Sequence, residues 1–257
     1  MKNFKNEKLL LGLLFPLLLV SCSSKLLYEG KHDNCYKLFE KLLIKGFIKK
    51  NTYDKIVSTI DLPQASSIVF DSSDSLTELP KELICIQKLK EVAIVKKPDL
   101  NIVQIIDVVS KLPNLEKLYL VENNIKVLPN NIEKLKNIRT LVIAYNPNLV
   151  LPKQVKKLKH LSSLTLSKNV NMDFEQLFKF IEGLQISYLD IYGCNMTEVP
   201  KNIGKMTYLR ELNLGGNPLT ALPCEINNLK NCRFILPKEM PKNIIPSCLK
   251  NYPFEYQ

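Results

Sequence analysis

The chain has 257 residues, of which 46% are hydrophobic and 24% are charged, so it can bury a sizeable core and is unlike a disordered protein. Lysine and arginine outnumber aspartate and glutamate by 36 to 25, which gives a formal net charge of +11. The excess lysines occur in short runs with acidic residues among them, so we do not expect nucleic acid as a partner. Only 8 glycines are present, which leaves little material for glycine-rich phosphate loops.

Residues 1–21 have the features of an export signal. A lysine-bearing stretch precedes an apolar segment, Leu9 to Val20, that is shorter than the ~20 residues of a transmembrane helix. The residues Leu19-Val20-Ser21-Cys22 resemble the lipobox of bacterial lipoproteins. This resemblance implies a diacylglyceryl group on the Cys22 thiol, cleavage just before Cys22 and acylation of the new N-terminus. Ser23 after the cysteine implies sorting to the outer membrane. The alternatives are a signal without lipid and an uncleaved N-terminal anchor.

Residues 22–63 are predicted to form a tether and an N-terminal helical cap. The apolar side chains of residues 31–61 follow an amphipathic helical spacing, which is interrupted at Gly46. A cap would shield the first repeat of the array described next. Nearby lysines and the predicted lipid leave a second role open, as a helix on the membrane surface.

From about residue 64 to residue 236 the sequence repeats the pattern L-x-L-x-x-N. The first positions of its copies fall at 68, 92, 118, 141, 164, 189 and 212. Most copies continue with L-P-x-x-I, as in Leu128-Pro129 followed by Ile132. The pattern resembles the leucine-rich-repeat family. That resemblance implies an α/β repeat solenoid of about seven repeats, with a curved parallel sheet on the concave face and 3₁₀ or helical segments on the outer face.

Each copy predicts a short strand whose two leucines point into the solenoid. The side chain at the asparagine position is expected to bond to backbone groups where the chain turns. Ser73 and Lys97 occupy this position in the first two copies, and because a buried lysine is costly, the second copy is expected to be distorted. In the other five copies this turn ladder consists of Asn123, Asn146, Asn169, Cys194 and Asn217.

The regions between and after the strands carry further expectations. The longer intervals predict helical turns at residues 102–112 and 174–184, and the other outer segments are expected to be irregular or 3₁₀. Residues 237–257 contain four prolines and are predicted to form an irregular C-terminal cap.

The sequence shows no recognisable catalytic or metal-binding motif, so we expect a protein that is not an enzyme and holds neither a metal nor a cofactor. No two cysteines have the C-x-x-C spacing of a metal site. One disulfide among Cys224, Cys232 and Cys248 is possible in an exported protein, and three reduced thiols are the alternative. His32 and His160 are the only histidines, and an unrecognised hydrolase would have to use one of them.

The concave face implied by the resemblance is the expected binding surface. Its middle is predicted to present exposed valine, alanine and tyrosine instead of charge, which is typical of protein contacts. The alternative is that these residues are simply good strand formers. The residues expected to bind a partner are Tyr119, Val121, Val142, Tyr145, Tyr188, Asp190 and Tyr192.

The outer face is expected to be solvated, with contact to anionic lipid or polysaccharide as the lesser alternative. Its lysines are Lys88, Lys134, Lys136, Lys156, Lys157 and Lys159.

Together these features predict a lipid-anchored recognition protein of the bacterial cell envelope. It would bind another protein through the concave face, in adhesion, host interaction or envelope assembly. A structural envelope protein without a specific partner is the main alternative, and a hydrolase is the third possibility.

Overall fold

The computed structural model describes residues 66–72 and 78–256. The predicted signal segment, Cys22, the predicted N-terminal helical cap and Ser73 lie outside these residues. Within them, one parallel sheet contains nine strands, each paired with its neighbours in chain order. The strands are β1 (Ser67–Phe70), β2 (Glu91–Val95), β3 (Lys117–Val121), β4 (Thr140–Ala144), β5 (Ser163–Thr165), β6 (Tyr188–Asp190), β7 (Glu211–Asn213), β8 (Arg233–Leu236) and β9 (Glu255–Tyr256).

The repeat places equivalent leucines side by side. Leu118 of β3 pairs with Leu141 of β4, which pairs in turn with Leu164 of β5. These leucines are buried in one continuous core, and because side chains alternate along a strand, the residues between them face the concave side. All seven predicted first positions lie in strands, which confirms the repeat, and β8 and β9 extend the sheet beyond the predicted copies.

The structure of the outer segments explains why the L-P-x-x-I element recurs along this chain. Pro129 precedes a 3₁₀-helix, where its missing N–H leaves no hydrogen bond unmade. The Pro129 carbonyl accepts a hydrogen bond from the Ile132 N–H at 3.1 Å, and the Ile132 side chain enters the core. The same arrangement recurs in the 3₁₀-helices Lys81–Cys85, Asn130–Lys134, Lys153–Lys157, Lys201–Lys205 and Cys224–Asn228.

Two longer outer segments form α-helices, as predicted: α1 (Ile102–Val109) and α2 (Phe174–Ile181). The Asn101 side chain caps α1 by accepting hydrogen bonds from two backbone N–H groups, and Asp173 caps α2 in the same way with one. Both helices bury one apolar face against the core, so the longer repeats preserve the stacking of the shorter ones.

The turn ladder links neighbouring repeats through buried side-chain hydrogen bonds, as predicted. The Asn146 Oδ1 atom accepts from the Asn123 N–H at 3.1 Å and from the Ile125 N–H at 3.0 Å. Its Nδ2 atom donates to the carbonyls of Leu120 and Ala144 at 3.0 and 2.7 Å. Each ladder asparagine therefore satisfies backbone groups of the preceding repeat that would otherwise be buried without partners.

Cys194 replaces asparagine in this ladder and supplies part of its chemistry. Its Sγ atom donates to the Leu166 carbonyl at 3.0 Å, while its backbone N–H donates to the Asn217 Oδ1 atom at 2.9 Å. Burial raises the pKa of the Cys194 thiol to about 12, so this cysteine stays protonated and can act as a donor.

The prediction of a distorted second copy is wrong. Strand β2 has five residues and pairs in register with β1 and β3. Lys97 is only 8% exposed, and its backbone N–H donates to the Asn123 Oδ1 atom at 2.8 Å. The backbone turn at this position is therefore held by the asparagine of the next repeat.

The residue before each described ladder position has a left-handed backbone conformation, with positive φ. Gly193 and Gly216 adopt this conformation freely, with φ of 62° and 65°. A non-glycine residue there costs on the order of 1 kcal/mol, a strain that the repeated hydrogen bonds of the turn must offset. The non-glycine residues are Lys96, Glu122, Tyr145 and Lys168, with φ between 56° and 61°.

The C-terminal segment closes the last repeat. Cys224 forms a disulfide with Cys248, which decides between the alternatives left open by the sequence, and Cys232 is a buried free thiol. The Tyr252 hydroxyl oxygen lies 2.6 Å from the Leu229 carbonyl oxygen and 2.8 Å from that of Cys232, and its one proton can be donated to either. The segment also contains the 3₁₀-helices Lys242–Ile244 and Ser247–Leu249, and it ends in β9, which the sequence did not predict.

Candidate binding face

The concave face is formed by three columns of side chains that run across the strands. The first column lies directly before the first inward leucine of each strand. The middle column lies between the two inward leucines, and the third lies directly after the second. Because the strands are in register, equivalent residues of successive repeats are neighbours within each column. The face is therefore a continuous surface to which every described repeat contributes.

The prediction that the small apolar residues of this face are exposed is wrong. Val142 is 2% exposed and Ala144 is 0% exposed, and Val121 is also buried. They form a second apolar cluster on the concave side, separate from the main core, against which Tyr119 and Tyr145 pack. The sequence could not reveal this burial, because it depends on which neighbouring side chains lie over the strand. The apolar cluster consists of Ala93, Val95, Val121, Val142 and Ala144.

The tyrosines predicted for the site are the accessible part of the face. Tyr119, Tyr145, Tyr188 and Tyr192 are all half-buried, so each has packed and exposed atoms. Burial, assisted by the negative charge of Glu91, raises the pKa of Tyr119 to about 12, so its hydroxyl is a neutral donor at physiological pH. Tyrosines held in this way supply contact area at a low cost in side-chain entropy.

Tyr192 is fixed in one orientation by its surroundings. Its ring lies against the backbone of Gly215 and Gly216, where a Cβ atom on either glycine would approach the ring to 3.0 Å. The Lys168 ammonium lies 4.8 Å from the ring centroid, in a cation–π contact. The two glycines thus make space for an aromatic side chain, a role that the sequence pattern did not indicate.

Asp190 is the one predicted site residue with a buried carboxyl group. Its Oδ1 atom accepts from the Tyr192 N–H at 2.9 Å, and its Oδ2 atom accepts from the Tyr188 hydroxyl at 3.4 Å. Burial raises the pKa of Asp190 and, together with the negative charge of Asp190, that of Tyr188. Asp190 therefore orients the two tyrosines and has little surface of its own to offer a partner.

Charged residues in the first column were missed by the sequence reasoning, which took only Tyr188 from this column. The Lys117 ammonium lies 3.3 Å from the Glu91 carboxylate, near Tyr119. At the other end, the Arg233 guanidinium pairs with Glu211 at 3.0 Å and with Glu255 at 2.6 Å. These hydrogen bonds raise the pKa of Arg233 and lower that of Glu255. Paired charges therefore lie near both ends of this column, and the uncharged residues Thr140, Ser163 and Tyr188 lie between them.

The described residues contain no group of three His, Cys, Asp or Glu side chains that could hold a metal ion. None of their helices is long and apolar enough to cross a membrane.

Comparison with known proteins supports the repeat assignment. The family model described as Leucine Rich Repeat matches residues 208–229. A chain of the Toll–Spatzle complex of Drosophila shares 16% identity and a TM-score of 0.61, with 79% of this chain and 27% of that chain covered. The described chain has the leucine-rich-repeat fold. Internalin C2 of Listeria monocytogenes gives 19% identity and a TM-score of 0.51, with 75% of this chain and 80% of the internalin chain covered.

A leucine-rich-repeat protein of Leptospira interrogans shares 22% identity with this solenoid, with a TM-score of 0.44 and 70% of this chain covered. The solenoid spans 56% of the length of the Leptospira chain and 27% of that of the Drosophila chain. None of the curated proteins has a significant sequence match to it.

Proposed function

We propose that the protein is a lipid-anchored leucine-rich-repeat lipoprotein of the bacterial cell envelope that binds another protein through its concave face. Its role is recognition without catalysis, in adhesion, host interaction or envelope assembly. The partner contacts Tyr119, Tyr145, Tyr188 and Tyr192 and the paired charges near the two ends of the face.

The observation that carries this proposal is the arrangement of four tyrosines along the concave side of the sheet. Tyr119 and Tyr188 lie in β3 and β6. Tyr145 and Tyr192 lie just after the ends of β4 and β6. Their rings are half-buried and held by packing, and Tyr188 and Tyr192 also bond to Asp190 through a hydroxyl and a backbone N–H. Tyrosine is enriched among the residues that dominate the energy of protein interfaces, and a fixed ring loses little entropy on binding. Polar and charged groups around such a centre match the rim of a protein contact.

The comparisons support the general class of function. Leucine-rich-repeat proteins commonly mediate protein–protein binding, and the Drosophila structure with the higher TM-score is itself a complex of two proteins, Toll and Spatzle. The expected partner is a protein whose surface complements the tyrosines and the paired charges of the concave face.

Site-specific photocrosslinking in intact cells tests the binding face. A benzophenone amino acid placed at Tyr119 or Tyr188 is expected to give one discrete crosslinked protein. The matched control is Tyr208, which is 52% exposed and lies outside the strands, beyond the outer 3₁₀-helix Lys201–Lys205. A product of the same size from Tyr208, or no product from either concave position, would contradict the proposal, and the second result would favour a structural protein without a partner.

The lipid anchor rests on the sequence of the lipobox, and Cys22→Ala tests it. Each buried CH₂ of an acyl chain contributes ~0.8 kcal/mol to membrane affinity, so loss of the acyl chains should release the protein from washed membranes. The wash is done at high salt to remove electrostatic attachment. A variant that stays in the membrane fraction would show that another segment anchors the protein.

A further inference from the structure

The positive charge of the protein is concentrated in its two central repeats. Residues 126–172 contain nine basic residues and one acidic residue, Glu133, for a net charge of +8. The whole chain has a net charge of +11, so all remaining residues together contribute only +3. Acidic residues are therefore nearly absent among the lysine runs of these two repeats, unlike in the rest of the chain.

Five of these lysines form a patch without counter-charges. All five are exposed, and no ion pair or hydrogen bond of their ammonium groups occurs among the described residues. Elsewhere on the outer face, by contrast, Lys134 pairs with Asp107 at 2.8 Å and Lys205 with Glu182 at 3.3 Å. The lysine patch consists of Lys136, Lys153, Lys156, Lys157 and Lys159.

The stacking of the repeats brings these lysines together. The 3₁₀-helices Asn130–Lys134 and Lys153–Lys157 are in contact on the outer face. Lys136 and Lys159 each follow their 3₁₀-helix by two residues, so they occupy equivalent positions in adjacent repeats. Like charges at such positions repel each other, and this arrangement does not contribute to folding stability.

Two exposed valines lie in the same two repeats. Val127 and Val150 are 58% and 51% exposed, and they are neighbours in an isolated parallel bridge. Each lies three residues before the 3₁₀-helix of its repeat, and the Val150 N–H donates to the Lys126 carbonyl at 2.8 Å. An exposed apolar pair in the same two repeats as the unpaired lysines matches the composition of a surface that contacts a membrane interface.

We propose that the lysine patch and the Val127–Val150 pair form a contact surface for an anionic phospholipid bilayer. Lysine ammonium groups act as mobile point charges, whereas bidentate phosphate recognition favours arginine, and Arg139 is the only arginine of the region. The patch thus suits a diffuse layer of headgroups better than one structured ligand. Because the outer face and the sheet are opposite sides of the solenoid, this contact directs the concave face away from the membrane.

Vesicle sedimentation tests this surface. The full chain, produced without lipid modification, is mixed with vesicles of neutral phosphatidylcholine or with vesicles that also contain anionic phosphatidylglycerol. Binding through the N-terminal apolar segment is common to both, so the difference between them reports the charge. We expect stronger partition onto the anionic vesicles, and a loss of this preference at high salt because exposed charges are screened.

Substitutions locate the effect on the molecule. Each lysine near an anionic surface changes the partition coefficient about five-fold, so Lys156→Gln, Lys157→Gln and Lys159→Gln together should lower it roughly 100-fold. The matched control removes three exposed lysines elsewhere, by Lys201→Gln, Lys230→Gln and Lys250→Gln, and should have a much smaller effect. Equal losses from both triple variants would overturn the proposal, since net charge alone would then explain binding.

A second pair of variants separates lipid from a soluble polyanion. Val127→Asn with Val150→Asn should lower partition onto anionic vesicles by about ten-fold, because the apolar pair no longer enters the headgroup layer. Binding to a soluble sulfated dextran should be unchanged by these substitutions. Unchanged vesicle binding, or a wild type that binds the dextran and not the vesicles, would overturn the assignment to lipid. Neither result bears on the concave face, which the photocrosslinking tests separately.

Discussion

At the scale of single residues, the ladder position performs the same task in each repeat with slightly different groups. An asparagine offers one acceptor and two donors in a planar unit, which matches two N–H groups and two carbonyls at the turn. Asn146 and Asn217 meet this pattern fully, whereas Cys194 offers a single donor. These side chains are buried, so each lost hydrogen bond leaves a backbone N–H or carbonyl group without a partner, because water cannot reach it.

Asn146→Ala should be strongly destabilising. It leaves the N–H groups of Asn123 and Ile125 and the Leu120 carbonyl without their partner, and each unsatisfied buried group costs about 1–3 kcal/mol. We expect a loss of at least 3 kcal/mol in the free energy of unfolding, measured by urea denaturation. Asn137→Ala is the control, because Asn137 is exposed and its only hydrogen bond is 3.4 Å long, and it should change stability by less than about 0.5 kcal/mol. Similar losses from both would contradict the ladder's role.

Asp190→Asn should raise stability at neutral pH and not at low pH. The pKa of Asp190 is raised in the folded state, chiefly by burial. The free energy of unfolding is therefore higher below the ordinary pKa of 3.8, where the carboxyl group is protonated in both states, than at neutral pH. That stability is lost as the pH rises through the raised folded-state pKa, because the buried carboxyl group must then ionise. The neutral amide avoids this cost and can still accept from the Tyr192 N–H.

Thermal melting measures this effect. The Tm of Asp190→Asn should exceed that of the wild type by a few degrees at pH 7 and equal it at pH 3. Asp99→Asn, at an exposed position, is the control for a surface charge. A lower Tm for Asp190→Asn at pH 7 would show that the ionised carboxylate is stabilising, contrary to the prediction.

At the scale of elements, stability comes from the fit between successive outer segments. Gly204 lies in the 3₁₀-helix Lys201–Lys205 and is buried against the next 3₁₀-helix, Cys224–Asn228. A Cβ atom at this glycine would lie 2.8 Å from the Glu225 Cβ atom and 2.9 Å from the Glu225 carbonyl oxygen. The backbone part of this contact cannot move aside by rotating a side chain, so the two turns approach closely only because residue 204 is glycine.

Gly204→Ala is therefore expected to destabilise the protein by about 1–3 kcal/mol, the usual cost of overpacking. Gly183→Ala is the matched control, since a Cβ atom there would meet nothing within 4 Å. Urea denaturation of both variants gives the comparison. If Gly204→Ala were as stable as Gly183→Ala, the repeats could adjust their spacing and the stacking would be less rigid than described.

The strands and outer segments could be predicted from the sequence because the same residue pattern recurs in each copy of the repeat. The leucine pairs located the strands, and the long intervals located α1 and α2. The left-handed turns were not predictable, since only Gly193 and Gly216 mark them and Lys96 and Tyr145 adopt the same conformation. The burial of Val142 and the sandwiched ring of Tyr192 depend on contacts between repeats, which no single repeat encodes.

At the scale of the whole molecule, the solenoid separates two kinds of surface. The concave side has an apolar cluster over β2 to β4, four half-buried tyrosines and paired charges near both ends. The outer side of the central repeats has unpaired lysines. These lysines lie in separate runs along the sequence, and the stacking of adjacent repeats brings them close together. Under our two proposals, the lysine patch contacts the membrane while the concave face remains free to bind a protein.

The affinity of the crosslinked partner for purified variants tests the central claim most directly. Truncation of a tyrosine at the centre of an interface commonly costs about 2 kcal/mol or more, which is about thirty-fold in Kd. Tyr119→Ser combined with Tyr188→Ser should therefore weaken binding by at least roughly 100-fold, while Tyr208→Ser, at an exposed position outside the strands, leaves it unchanged. Equal affinity of the double variant and the wild type, with both folded, would contradict recognition through the concave face.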